Sequence, residues 1–314
     1  MHNKDKACSL VRDGRYSESA KAGALALIEE DANAVSAAAI DRNIVSFSLF
    51  GSDPAYCETI LLNAKEMEIV YPGWEMFVFH DETVPLHVLD RLKANGARLI
   101  TAKEFGISHW PGTFWRFAAV LINNAKYVIF RDADSIISAR EKYLVDEWIF
   151  SHKPFHIIRD WYTHVDLILA GLWGAYAPFL GNIKAKVDTY VYNKALHPTH
   201  ADQHFLAQCI WPIACDFSLI HDSIHELKNV NKFEPPRLSP DGKFALGGYL
   251  IKKITFQSSS IDGRCVFTIK DNRDQTVCSY PIEFKNEEAE IELPYHHWAK
   301  IESRDWTYRI VVTD

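Results

Sequence analysis

From residue 43 onward the chain alternates short apolar runs with longer stretches of helical periodicity. Ile44–Phe50 is rich in β-branched and aromatic residues and predicts a strand, after which Gly51 and Asp53-Pro54 mark a turn and a helix start. Helical patterning over 55–70 leads to a second strand at Glu75–Phe79, which ends in His80-Asp81. A helix at 86–95 stops at Gly96, and Ala97–Ile100 reads as a third strand. A helix from Thr113 to Asn123 then feeds a fourth strand at Tyr127–Phe130. PFHIIRD carries the next, and Phe217–Ile220 is a last short one before His221-Asp222-Ser223. Strands separated by single helices predict βαβ units and a largely parallel sheet covered on both faces.

The two ends differ in texture. Residues 4–38 read as two short helices broken by Asp13-Gly14, with Ala7, Leu10 and Val11 on one apolar face and Ala20, Ala24 and Leu27 on the other. Gly14, Tyr16 and Ala20 give this hairpin a resemblance to a single tetratricopeptide repeat, which cannot bury its own face and is expected to pack on the neighbouring domain. After Lys228, NVNKFEPPRLSPDGK has the Pro-rich polar character of a linker. Beyond it only strand patterns remain, at 251–257, 265–270, 277–284, 289–293 and 308–312, predicting a small sandwich or barrel. The expected organisation is a helical hairpin (1–40), an α/β domain (41–228), a linker (229–245) and an all-β domain (246–314).

Composition narrows the function classes. With 314 residues, 48% of them hydrophobic and 13% aromatic, the chain can build a core and is not disordered. A net charge of −7 leaves no basic footprint for a general nucleic-acid binder. The N-terminus lacks the apolar core of a signal peptide, and no run of about 18 apolar residues spans a membrane. A cytoplasmic location is therefore expected, with peripheral contact at a membrane surface left open. The six cysteines form no CxxC pair and are expected to be reduced thiols. Oligomeric state is not fixed by the sequence.

The chemistry concentrates at KYVIFRDADSIIS. An apolar strand delivers Asp132 and Asp134, two apart, where open α/β sheets bind ligands. Hard carboxylate oxygens suit Mg²⁺ or Mn²⁺, which would neutralise a diphosphate that an acidic protein otherwise repels. His221, at a second strand end, offers an imidazole as a third ligand. In PFHIIRDWYTH, an Arg159-Asp160 pair with His164 fits either hydroxyl binding or a local ion pair. Trp110, Trp115, Trp161 and Trp173 sit in loop or loop-edge contexts where aromatic faces could stack on a ligand ring, core packing being the expectation for Trp115. His296-His297 reads as surface strand, its side chains on opposite faces.

The ordered set of FWRF, the DxD after a strand, LAGLWG at 169–174, Asp202-Gln203 and His221 resembles GT-A-fold glycosyltransferases that use nucleotide sugars. It is most similar to capsular and surface-polysaccharide transferases with an RDxDS motif, and more distantly to the glycogenin-like group, over about residues 43–225. The resemblance implies a Mn²⁺- or Mg²⁺-dependent transfer from a nucleoside-diphosphate sugar, a UDP-sugar favoured, to a glycan or lipid-linked glycan hydroxyl. By the same resemblance, Ser46, Phe47 and Ser48 at the first strand end, with Asp81, would meet the nucleoside. Arg116 would contact the phosphates or sugar, and Asp132 would share the metal with Asp134 and His221. Gly171 and Trp173 would line the donor sugar, and Arg159 would bind hydroxyls. Asp202-Gln203 would sit beside the reacting carbon, Asp202 serving as base if configuration inverts and positioning the sugar if it is retained. Asp160 is the reserve base.

Two departures bear on this. SLFGSDPAY has no Gly-rich phosphate loop, which argues against a dehydrogenase, a P-loop enzyme and, as a runner-up, a sugar nucleotidyltransferase. His204 follows Gln203 where the glycogenin-like group often has a second carboxylate. A catalytically inactive carbohydrate-binding scaffold is the alternative from another class.

Overall fold

The computed structural model of the chain describes residues 3–35, 40–193, 199–235, 245–248 and 250–313. Two helices, α1 (Asn3–Arg12) and α2 (Tyr16–Val35), form the N-terminal hairpin. They close through Leu10, Ser19, Ala22 and Ala26, and Ser19 Oγ donates to the Ala7 carbonyl at 2.8 Å. The expected face differs from this one: Ala20 and Leu27 are exposed, because the small residues at 19, 22 and 26 allow the closer approach. Lys21 pairs with Asp216 and ties the hairpin to the main body.

The main body contains β1 (Arg42–Leu49), α3 (Pro54–Val70), β2 (Glu75–His80), α4 (Leu86–Ala94) and β3 (Arg98–Thr101). A 3₁₀ helix (Gly112–Leu121) precedes β4 (Ala125–Arg131), α5 (Ala139–Ser151), β5 (Phe155–Arg159) and β6 (Trp173–Tyr176). Then come α6 (Ala177–Leu180), α7 (Ile183–Asn193), α8 (Ala201–Phe205), a π turn (Leu206–Ile210), α9 (Trp211–Ala214) and β7 (Ser218–Asp222). The seven strands form one α/β sheet in the order β3-β2-β1-β4-β6-β5-β7. Only β6 runs antiparallel to its neighbours. Strand order reverses beside β1, so the crevice at the ends of β1 and β4 is where ligands of such sheets bind.

Period-two alternation sorts β1 between two cores. Val45, Phe47 and Leu49 face one cluster, with α3 and Trp148; Ile44 joins the other, with Phe79, Phe117, Phe130 and Trp173. Ser46 and Ser48 share the second face and grip the 3₁₀ helix. Ser46 Oγ donates to the Arg116 carbonyl at 2.8 Å, and Arg116 N–H donates to Ser48 Oγ at 2.9 Å. With both backbone groups of Arg116 committed to β1, the apolar periodicity at 113–123 yields 3₁₀ geometry, not a regular α-helix.

The C-terminal part holds β8 (Ile251–Gln257), β9 (Gly263–Lys270), β10 (Thr276–Phe284), β11 (Glu288–Pro294), α10 (Tyr295–Glu302) and β12 (Thr307–Val312). These strands make a β10-β9-β12 sheet and a β11-β8 pair. Their inner residues (Phe267, Tyr280, Ile291, Leu293) belong to the same apolar cluster as α3. Of the linker expected at 229–245, residues 236–244 lie outside the described residues; Asn231 bridges to His221 beside β7.

Candidate active site

β4 ends at Arg131, so Asp132 and Asp134 lie in the turn beyond the strand and not on it. That turn is held from three sides. Ser135 N–H donates to the Asp132 carbonyl at 3.3 Å. Buried Asn63 of α3 donates to the Ser135 carbonyl at 2.8 Å and accepts from Ile137 N–H at 2.9 Å. Beneath, the Arg131 guanidinium pairs with Glu141 at 2.9 Å, both fully enclosed, and Tyr71 OH donates to Glu141 at 2.6 Å. Burial, and then the charge of Asp132, push the Asp134 carboxyl up to about 7. Burial, and then the charges of Asp134, Asp53 and Asp132, push the Tyr56 phenol up to about 12. A carboxyl raised by burial and by a neighbouring carboxylate fits a divalent cation, because the ion would relieve the repulsion.

Arg116 links the turn to a second carboxylate. Its Nη1 donates to Asp132 Oδ1, and its Nη2 to Asp202 Oδ2 at 2.8 Å. Asp202, buried at the start of α8, also accepts from Gln203 N–H at 2.9 Å, so both its oxygens are engaged. Burial raises the Asp202 carboxyl, against the pull of Arg116. Gln203 Oε1 is buried without a hydrogen-bond partner, an orphan acceptor beside this group. Gly171, on the segment between β5 and β6, lies under Asp132: a Cβ there would stand 1.8 Å from Asp132 Oδ2. Asp132, Asp202, Gln203, Gly171 and Arg116 thus meet, with Asp134 alongside.

Other expected residues go elsewhere. Ser46 and Phe47 are wholly buried and Ser48 nearly so, and the serines are spent on the 3₁₀ helix. Phe50, 45% exposed and edge-on to Trp115, is the accessible ring at that strand end. Asp81 accepts from Thr83 N–H at 3.0 Å and shapes its own turn, while Thr83 Oγ1 accepts from Gly51 N–H. Trp173 is a core residue, stacked on Phe130 at 4.3 Å, and lines no sugar; Trp115 is also buried. Arg159 donates to the Asp166 and Leu167 carbonyls, and burial lowers its guanidinium pKa. Asp160, with no exposed surface, accepts from Arg140, from Ser223 Oγ at 2.6 Å and from Leu246 N–H at 2.7 Å. A carboxylate so engaged cannot take a substrate proton.

His221 is the clearest correction. It lies in β7, three strands from β4, about 14 Å away across the sheet at ordinary strand spacing. Its Nδ1 bonds to His156 Nε2 at 2.8 Å and its Nε2 to Glu147 at 3.0 Å, so neither nitrogen is available to a metal. Burial holds both imidazoles below the usual histidine range.

Sequence reading missed Glu58, Cys278 and His297, the one cluster among the described residues with three potential ligand atoms in mutual reach. Glu58 accepts from Arg91 at 2.7 and 2.9 Å, from Tyr280 OH at 2.7 Å and from His297 at 3.2 Å. A guanidinium already neutralises it, so the cluster is a joint between α3, α4 and the C-terminal strands and not a cation site. His297, expected on a surface strand, is buried on α10 because Glu58 draws it inward. No helix among the described residues is long and apolar enough to cross a membrane.

No protein-family model and no curated protein sequence matches the chain. Among solved structures it is similar to galactosyltransferase LgtC in complex with donor and acceptor sugar analogues. That match has 14% identity, 57% of this chain and 73% of the other covered, and a TM-score of 0.41. It is similar to the glycosyltransferase GlyE of Streptococcus pneumoniae TIGR4 at 18% identity, covering 57% of this chain and 45% of the other, with a TM-score of 0.41. The Mycobacterium tuberculosis glucosyl-3-phosphoglycerate synthase, in complex with Mn²⁺, UDP and phosphoglyceric acid, matches at 13% identity over 45% of this chain and 57% of the other, with a TM-score of 0.33.

Proposed function

We propose that this protein is a metal-dependent glycosyltransferase, moving a sugar from a nucleoside diphosphate, UDP favoured, to a glycan hydroxyl. The observation that carries the reading is the Asp132–Asp134 pair at the reversal point of the sheet, with Arg116 as its cation among the described residues. Mn²⁺ or Mg²⁺ held by these carboxylates would supply charge neutralisation for the leaving diphosphate. The chain's own residues do the rest. Phe50 and Tyr56 offer rings to the nucleobase at the end of β1 and the start of α3. Gly171, with no side chain, lets the Asp132 carboxylate seat against its backbone beside the place of the donor sugar, and Gln203 Oε1 accepts from one of the sugar hydroxyls. Asp202, clamped by Arg116 and its own backbone neighbour, fits a positioning role better than that of a base.

Calorimetric titration with UDP, with and without Mn²⁺, tests this. Binding should require the metal, vanish with chelator and be lost in Asp134→Asn. That variant should also stop hydrolysis of the nucleotide sugar in a donor screen read by mass spectrometry. Chelator-insensitive binding, or none with any nucleoside diphosphate, would return the chain to the scaffold class.

A further inference from the structure

Pro72-Gly73 follows α3 and Asn95-Gly96 follows α4, both glycines at positive φ (78° and 86°), and the chain turns back at once into β2 and β3. Between these turns and the first residues of β1, β2 and β3 lies a trough of about 1380 Å³, ample for a small-molecule ligand. It lies at the N-terminal ends of the strands, whereas the acidic turn lies beyond the C-terminal end of β4. The length of β1 separates those two ends by about 23 Å.

The trough is cationic in a chain that is acidic overall. Arg42, Lys65, Lys93 and Arg98 line it, against the carboxylates of Glu68 and Glu75. Tyr71 N–H caps the Met67 carbonyl at 2.8 Å and Ala97 N–H that of Leu92 at 3.1 Å, which blunts the negative field of the two helix ends. Glu75 is saturated: Arg42 Nε and Nη2 donate to its two oxygens at 2.6 and 2.8 Å, and Arg98 Nε adds a bond at 3.1 Å. Two guanidiniums on one carboxylate leave a positive charge unmatched, and Arg98 Nη1 and Nη2 have no partner among the described residues. Those two nitrogens are the planar fork from which a carboxylate, phosphate or sulfonate accepts.

An apolar wall completes the trough. Trp74, half-buried, packs on Tyr71 with ring centroids 5.2 Å apart, and Met67 and Met76 line the same space. Tyr71 is itself fixed, its OH donating to Glu141 at 2.6 Å, and the Arg42 guanidinium is fixed over the Phe77 ring at 5.4 Å. The walls are therefore set before a ligand arrives, which lowers the cost of binding.

We propose that this trough is a second ligand site, taking a small molecule with a flat apolar body and an anionic group. The anion accepts from Arg98 Nη1 and Nη2, and the body lies against Trp74. At its distance from the acidic turn the ligand touches no reacting atom, and the inference stands whether or not the transferase reading does.

Fluorescence titration of the full chain with anilinonaphthalene sulfonate, a flat apolar anion, tests the assignment. Binding should saturate at a single probe per chain, and Arg98→Ala should weaken it by about tenfold, the scale of one charge-assisted contact. Arg42 keeps Glu75 paired in that variant, so its melting temperature should stay near wild type. Phenylnaphthylamine, the same rings without the sulfonate, should bind wild type and Arg98→Ala alike. Both probes should lose affinity in Trp74→Leu, which keeps apolar bulk over Tyr71 but not the flat face. No saturable binding of the sulfonate, equal sulfonate affinity in wild type and Arg98→Ala, or unchanged affinities in Trp74→Leu overturns the inference. So does a neutral probe that responds to Arg98→Ala as strongly as the anion, since the fork would then recognise no charge. A loss of sulfonate binding in Phe50→Ala as large as that in Arg98→Ala would move the probe to the crevice and overturn it as well.

Discussion

Arg116 reaches Asp132 with one arm of its guanidinium and Asp202 with the other, joining a β4 turn to a helix 70 positions further along the chain. Bidentate bridging of two carboxylates needs the planar fork of arginine, which a lysine cannot reproduce. Arg116→Lys should therefore keep the charge and lose the bridge, and Arg116→Ala should strand two carboxylates. The alanine variant is expected to lose about 3 kcal/mol of stability, chiefly from the buried Asp202 pair because solvent reaches Asp132, read by denaturant midpoint. A loss below about 1 kcal/mol would show that solvent already screens the pair.

Gly171→Ala tests the seat of Asp132. Its methyl group would collide with Asp132 Oδ2, and the carboxylate must swing away. Mn²⁺ affinity should drop by about tenfold or more while thermal stability changes little, since the displaced group is partly solvated. Unchanged affinity would free Asp132 from the metal.

The histidine chain from Glu147 through His221 to His156 predicts a purely structural phenotype. His221→Ala leaves His156 without its partner and is expected to lower the melting temperature by several degrees, at about 1–3 kcal/mol for an unsatisfied buried group. Metal-dependent UDP binding should match wild type. A shifted Mn²⁺ requirement in a stable variant would restore His221 to the metal.

Glu58 sets an acid limit. Burial alone would raise its carboxyl, but His297 and Arg91 outweigh it and hold the group at about 2, below the usual 4.5. A depressed acid stabilises the fold above its unfolded pKa, and that contribution is lost as pH falls from 4.5 through 2. Glu58→Gln should be markedly less stable than wild type at pH 7, and the gap should narrow in acid, followed by urea titration. A gap that does not change with pH would assign the effect to packing alone.

Strand and helix periodicity made most of the α/β fold legible, because buried strands such as FVFH and YVIF carry their environment in their composition. The antiparallel β6 was hidden, since LWGAY reads as a Gly-rich loop until Phe130 and Trp173 are seen to stack. His296-His297 reads as surface strand because nothing local announces Glu58, more than 200 residues away, and the structure puts both on α10. In the candidate site, Asp132, Asp134, Arg116, Gly171 and Asp202-Gln203 do converge. Ser46, Ser48, Arg159 and Asp160 proved to be internal fasteners, since residue type shows capacity for hydrogen bonding but not which partner takes it. Asn63 and Glu141 had no local signal: their task is defined by a turn 70 residues away in chain and by a neighbour's buried arginine.

Helix α3 carries Tyr56 near its start, Glu58 one residue beyond Cys57, and Asn63 five positions after Glu58, about 7.5 Å along the axis. The same rod is thus bolted to the C-terminal strands at one point and to the acidic turn at another. Cutting the C-terminal strands off would leave Ile60 and Leu61 bare and loosen the grip on Ser135 and Ile137, so the shape of the acidic turn depends on a part of the chain more than 100 positions further on.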